Sequence, residues 1–484
     1  MFEMKDRREI EQLNRDELIA RILDLSALVE QLRDENRTLR AKIEELERGA
    51  HRSAAPFSNG TPKADPKPPG RKKGEGPFTY RRPPLPIELT EHPIDVPVDR
   101  TECPACGGAL VEVRVDLAYV TDLPPVPRPS IRQYRVSVCE CRTCGKQVRG
   151  RHPDVAPDQF GATAHRLGTR LKATAHTLYY GLGIPQRKVP EVLHLLSGVE
   201  VTQGALSQDA MRQAEGPVGT AYVTLREGVK ESPSVHTDDT SWQYDGKPAF
   251  LMVFETPTAV VYQIRPQHRN EEVREVVPAT YTGVMTCDGG KSYDAIELRD
   301  VKQQKCLRHI DGLFEEALKD DPGNGFAATL KGHLDAAHEL WRQFRAGAID
   351  RERYDRDGVR LYGVVTTALI GERTRLHFLD PEGATDRDRT NRRLAEGIGE
   401  HHDRGNLLRF VGDPSIEPTN NRAERALRPA VIARKVSHCS RNERGATAFS
   451  AFVSVIRTAT KAGASAVETL SHLFAPSSPS RASP

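Results

Sequence analysis

The chain has 484 residues, in which 70 Lys and Arg stand against 67 Asp and Glu for a formal charge of +3. That length suggests about three domains, and a charge so balanced leaves any nucleic-acid contact to local basic patches. No apolar run is long enough to cross a membrane and the N-terminus lacks the apolar core of a secretory signal, which sets aside membrane-spanning and secreted classes.

From the N-terminus, residues 14–48 read as a dimerisation coiled coil. Leu18, Leu25, Leu32, Leu39 and Leu46 recur at seven-residue spacing, with Ile22, Val29, Asn36 and Ile43 at the intervening core positions. Leucine at one core position and mostly β-branched residues at the other favour two parallel strands, and a buried Asn36 fixes their register. Residues 49–99 then read as a flexible Pro/Gly-rich linker. Its basic run, Arg71, Lys72 and Lys73, is suited to lie along a DNA backbone.

Five of the eight cysteines fall between Cys103 and Cys144, which points to metal ligation in a reducing compartment rather than to disulfides. Cys103 with Cys106, and Cys141 with Cys144, make two CxxC knuckles, each followed by glycine. Together they predict one structural zinc site of four cysteine thiolates in a domain over residues 100–152, with strands expected at 109–115 and 131–138.

Residues 157–230 read as a helical DNA-binding segment. Helices are expected at 165–180, 187–196 and, capped by Thr202, 203–214, a spacing like that of a helix-turn-helix. Gln203, Ser207, Gln208 and Arg212 would then face the groove.

Over residues 233–460 the pattern changes to an α/β core. Strands are expected at 234–237, 249–255, 259–265 and 283–287, with a helix at 270–277. Asp238 and Asp288 each follow such a strand, where open sheets collect functional groups. More than a hundred helical residues come next, and the chain returns in a capped helix that presents Glu424 one turn in. Three carboxylates from separate segments suit two divalent ions, with room for a scissile phosphate and an attacking oxygen. Gly289-Gly290-Lys291-Ser292 echoes a phosphate loop, but Met285 stands where that loop needs glycine. His401-His402-Asp403 reads as a solvated polar loop. A C-terminal helix is expected at 461–475 and a disordered tail at 476–484.

Several motifs in this core resemble those of bacterial DDE transposases of the insertion-sequence sixty-six family. They are Asp238-Asp239-Thr240-Ser241-Trp242, Asp288-Gly289 with Tyr293, Cys306-Leu307-Arg308-His309, and the run Asn420-Asn421-Arg422-Ala423-Glu424-Arg425-Ala426-Leu427-Arg428-Pro429 with Arg434-Lys435 beyond. The resemblance implies an RNase H-like catalytic core with a helical insertion at about 306–405. It makes Asp238, Asp288 and Glu424 the ligands of two Mg²⁺ or Mn²⁺ ions, and Arg425, Arg428, Arg434 and Lys435 phosphate contacts. It also implies a bacterial, nucleoid-associated enzyme of the cytoplasm that acts on double-stranded transposon ends and target DNA, as a homodimer or higher oligomer, with accessory proteins of the same element. Asp239 stands where the family pattern has glutamate, so the first ligand is Asp238 or its neighbour, and strand alternation sends the two to opposite faces. Cys306 and His309, being only a pair, read as structural rather than as a second zinc site. Two other readings stay open. One is a zinc-containing, zipper-dimerised regulator with an inactive nuclease core; the other is a two-metal nuclease without strand transfer.

The arm makes a direct prediction. Asn36→Ile should raise its stability yet admit higher oligomers, because no buried amide then penalises alternative packings. Sedimentation of the 14–48 peptide checks this, and a monomer at high concentration would remove the zipper.

Overall fold

The computed structural model describes residues 167–475 apart from 438, and before them 94–152 apart from 116 and 120–128, with isolated positions elsewhere. The dimerisation arm and the basic linker with Arg71, Lys72 and Lys73 fall for the most part outside the described residues, as does the tail 476–484. The chain divides into two compact units, Met1–Asp122 and Leu123–Pro484.

In the first unit, the Cys103 N–H donates to the Gly108 carbonyl (2.8 Å) and the Gly107 N–H to the Cys103 carbonyl (2.9 Å). Gly107 sits at φ +68°, a conformation that disfavours any side chain. The strand expected at 109–115 does not form: Val111, Val113 and Val115 are exposed, and among the described residues no partner face rewards their alternation. The second unit repeats the turn inside a short antiparallel hairpin, β1 (Val138–Glu140) and β2 (Gln147–Arg149). There the Cys141 N–H meets the Lys146 carbonyl (2.9 Å) and the Gly145 N–H the Cys141 carbonyl (2.8 Å), with Gly145 at φ +70°. Of the strand expected at 131–138, only Val138 enters the hairpin.

Four helices follow: α1 (Thr169–His176), which runs on as a π-turn over Thr177–Gly181, then α2 (Val189–Ser197), α3 (Gln203–Glu215) and α4 (Pro217–Lys230). Gly198, at φ 65°, ends α2 in the left-handed region. The Thr202 hydroxyl accepts the Ala205 N–H (3.2 Å), the cap expected of it. Buried Asp209 on α3 takes the Lys172 ammonium (2.9 Å) on one oxygen and His176 Nε2 (2.9 Å) on the other, tying α3 to α1.

The central sheet is built from β3 (Ser234–Tyr244), β4 (Lys247–Glu255), β5 (Val260–Arg265), β6 (Val284–Cys287) and β7 (Lys302–Lys305), with α5 (Asn270–Arg274) between β5 and β6. Its order is β5-β4-β3-β6-β7; β3, β4 and β5 are antiparallel neighbours, whereas β3, β6 and β7 run parallel. Asp238 therefore lies within β3, not at its end. The strand continues to Tyr244 on its pairing with β4 after its pairing with β6 stops at His236↔Thr286. Strand β7 was not expected, because Lys-Gln-Gln-Lys carries no apolar signal.

Between β7 and the return to the sheet stand α6 (Leu307–Asp320), α7 (Gly325–Arg345), α8 (Arg351–His377), α9 (Asp386–Asp403) and a short α10 (Arg409–Gly412). These helices bury a core of their own, including Phe314, Leu334, Leu369 and Phe410. His401 and His402 belong to the last turn of α9 rather than to a loop, and His402 is buried, with Nε2 2.7 Å from the Thr366 hydroxyl. Then come α11 (Asn421–Ser437), which packs on β3 and β4, α12 (Glu443–Lys461) and α13 (Ala466–Phe474). Helix α12 closes the sheet edge: Ser454 and Thr458 hydroxyls accept the Tyr262 and Val260 N–H groups of β5 at 2.8 and 3.0 Å. An edge so covered cannot recruit another strand.

Burial alone would raise the Asp209 carboxyl, but the His176 hydrogen bond and the Lys172 charge outweigh it and hold the group well below the usual carboxylate range. A depressed carboxylate stabilises the fold above its unfolded value of about 4 and loses that contribution as pH falls. Asp209→Asn should cost about 3–5 kcal/mol, since it removes the charge that buried Lys172 and His176 share. Denaturant melts of wild type and variant check this, and the difference should shrink in acid.

Candidate active site

Register explains why two distant aspartates meet. The parallel pairing of β3 with β6 runs Ser234↔Val284, Val235↔Met285, His236↔Thr286. Asp238 and Asp288 each lie two residues past the last pair, and the charge of Asp288 reaches the Asp238 carboxyl. Burial first, then the charges of Asp288 and Asp239, push the Asp238 carboxyl up to about 6, against a lowering hydrogen bond from the Asp239 N–H (2.9 Å). One oxygen of Asp288 accepts the Gly290 N–H (2.9 Å). A Cβ on Gly290 would stand 2.9 Å from that same oxygen, so glycine is what lets the backbone come close.

The third carboxylate arrives from α11. Glu424 is in its first turn, half-buried, and its carboxylate oxygen, Cys306 Sγ and a ring nitrogen of His309 all lie within 4.8 Å of one another. His309 in turn feels both aspartates. Its hydrogen bond to Cys306 leads, burial opposes, and the charges of Cys306, Asp288 and Asp238 add to raise its pKa to about 9. Crowded like charges on half-buried oxygens are what a divalent cation relieves, so Asp238 and Asp288 fit Mg²⁺ or Mn²⁺, whereas Glu424 is gathered with Cys306 and His309.

Asp239 does different work. It points to the other face, where its Oδ1 lies 3.1 Å from His268 Nδ1, while His268 Nε2 is 3.3 Å from the Ser292 hydroxyl. Thr237, on that same face, meets buried Tyr293 (3.3 Å between hydroxyl oxygens). Nothing in the sequence spacing singles out His268. Lys305 on β7 was also missed. It is buried, with Nζ 2.7 Å from Asp294, 3.2 Å from the Asp288 carbonyl and 3.6 Å from Cys287 Sγ.

The residues expected to touch DNA divide in two. Arg425, Arg428 and Lys435 are exposed along α11. Arg434 is turned inward: its guanidinium donates to the Thr240 hydroxyl (3.0 Å) and to the Ser241 hydroxyl and carbonyl, pinning α11 on β3. On α3, Gln208 and Arg212 are exposed, whereas Gln203 and Ser207 are half-buried and the Ser207 hydroxyl accepts from Gln186 (2.9 Å).

Each cysteine knuckle presents thiols to its own backbone N–H groups. Cys141 is drawn down to about 7 by the N–H of Cys144 and then of Thr143, and Cys103 is lowered by those of Ala105 and Cys106. Such thiolates fit Zn²⁺. No helix among the described residues is long and apolar enough to cross a membrane.

Residues 165–448 match the sequence profile of the family described as Transposase IS66 family, which is more than half of the chain. A comparison with curated proteins gives no match.

Removing the β7 ammonium should loosen the Asp288 loop. Lys305→Met should cost about 1–3 kcal/mol, the scale of buried acceptors left unsatisfied when their donor is removed, read as a lowered midpoint in denaturant melts.

Proposed function

We propose that this chain, which belongs to the transposase IS66 family, binds the terminal inverted repeats of an insertion sequence. It hydrolyses a phosphodiester at each end and joins the freed 3′-hydroxyl to target DNA. The observation that carries this reading is the approach of Asp238, on β3, to Asp288, just past parallel β6, with Glu424 brought to His309, which feels both aspartates. The sheet order β5-β4-β3-β6-β7, half antiparallel and half parallel, supports an RNase H-like core interrupted after β7 by the helical insertion.

Asp238, Asp288 and Glu424 would hold two Mg²⁺ or Mn²⁺ ions, which when bound would supply Lewis acidity for phosphoryl transfer. The protein's own part is placement. The Gly290 N–H occupies one oxygen of Asp288 and so orients the other, while Lys305 fixes the carbonyl of the same residue. Arg425, Arg428 and Lys435 lie on the Glu424 helix, where phosphates are held by charge-assisted hydrogen bonds. Arg434 orients that helix by its bonds to β3. Gln208 and Arg212 on α3, with half-buried Gln203 and Ser207, read the ends. The two knuckles take one structural zinc, and the N-terminal arm pairs two copies.

Purified protein incubated with cloned element ends and Mg²⁺ or Mn²⁺ tests this through nicked and joined products. Asp238→Asn, Asp288→Asn and Glu424→Gln should each abolish both products, because an amide cannot supply the charge that keeps two dications together. DNA binding should survive in all three. Asp239→Asn and Glu417→Gln should retain substantial cleavage. Normal cleavage by the three triad variants would end the two-metal reading, and cutting without joining would reduce the protein to a nuclease.

A further inference from the structure

The geometry points to a second metal site, in which Cys306, His309 and Glu424 hold one thiolate-accepting divalent ion of the Zn²⁺ class. The sequence offered only a pair of such donors, and a pair does not make a site. The fold supplies the third, because Glu424, which is 115 residues beyond His309, comes back on α11 with its carboxylate within 4.8 Å of both.

Three separate segments hold these donors in place. Cys306 is the N-cap of α6, and His309 stands one turn into the same helix. The Cys306 N–H is bonded to the Cys287 carbonyl at the end of β6 (2.8 Å), and the Leu307 N–H to the Pro418 carbonyl (2.9 Å). The Asn420 N–H, just before α11, donates to Cys306 Sγ (3.1 Å). Backbone N–H bonds to sulfur orient a ligand and stabilise its charge. Cys306 is buried and His309 exposed, so the site has a closed side for the thiolate and an open side for a fourth ligand, as in three-ligand zinc centres.

Donor chemistry separates this site from the carboxylate pair beside it. Mg²⁺ wants oxygen ligands in an octahedron. Sulfur and imidazole nitrogen select zinc-like ions, which this site type also binds more tightly. Glu424 belongs to both donor sets, so an ion on Cys306 and His309 competes for the carboxylate that the Mg²⁺ site uses. The inference goes beyond the reaction proposed above and does not need it.

Full-length wild type, His309→Ala and Cys306→Ser are equilibrated with micromolar Zn²⁺, desalted and assayed for bound metal, without DNA. Zinc on the knuckles is common to all three proteins. The expected result is one equivalent less per chain in both variants, with Glu424→Gln holding that equivalent more weakly. Replacing zinc by Co²⁺ should give visible absorption that loses the contribution of a single thiolate in Cys306→Ser. His309 is exposed, so its variant should fold normally, as circular dichroism verifies. Equal zinc content and an unchanged Co²⁺ spectrum in a folded His309→Ala chain would overturn the site.

Discussion

The arrangement around Asp288 hangs on a polar strand. In β7 three consecutive residues, Gln303, Gln304 and Lys305, are buried with their polar ends inside the protein. An unpaired buried amide or ammonium costs several kcal/mol, so the strand is tolerable only where each polar end finds a partner. Strand alternation assigns those partners to two sides. Gln303 donates to the Tyr293 carbonyl (2.7 Å) and Lys305 reaches Asp294 and the Asp288 carbonyl, which fixes the loop after β6. Gln304 turns the other way, donating to the Leu407 carbonyl (2.8 Å) and accepting the Phe410 N–H (3.2 Å), which fixes the chain leaving the insertion. One short strand thus sets both the site loop and the seat of the whole helical insertion.

This division lets the insertion be large without disturbing the sheet. Its helices bury their own core, with caps such as Asn324 on the Ala327 N–H (3.1 Å) and Asp350 on the Arg353 N–H (2.8 Å). Its ends are fastened at adjacent points: the Lys305 N–H meets the Asn406 carbonyl (2.7 Å) and the Leu307 N–H meets that of Pro418. A loop whose ends are closed costs little more entropy as it lengthens. The same closure delivers α11, and hence Glu424, to the mouth of the sheet.

What the sequence made legible follows from where its signals come from. Apolar runs marked β4 and β5, and cap and turn chemistry marked Thr202 and the glycines of the knuckles. Motif residues marked Asp238, which feels the charge of Asp288, and Glu424, which the fold brings to Cys306 and His309. Strand β7 was illegible because its buried side chains are amides and an ammonium, satisfied by partners far along the chain. His402 was misplaced for a related reason: adjacent histidines look solvated, yet helix geometry turns one of them onto Thr366 and the ring of Tyr362. Arg434 looked like a phosphate ligand and is engaged by β3, because position along a helix, not charge, decides whether a guanidinium faces solvent.

The paired aspartates show how a one-residue step divides chemistry. Asp238 shares its face of β3 with Thr240, and the Arg434 bond to Thr240 keeps α11 over that face. Asp239 shares its face with Thr237, and so with Tyr293 and His268. Moving the metal ligand to Asp239 would therefore require a carboxylate already facing His268 to leave it and cross the sheet. It would also leave Asp238 crowded against Asp288 with no cation to relieve either. The pleat of the strand, which no side chain can override locally, turns Asp238 away from the face on which Asp239 meets His268, beside the loop that carries Ser292.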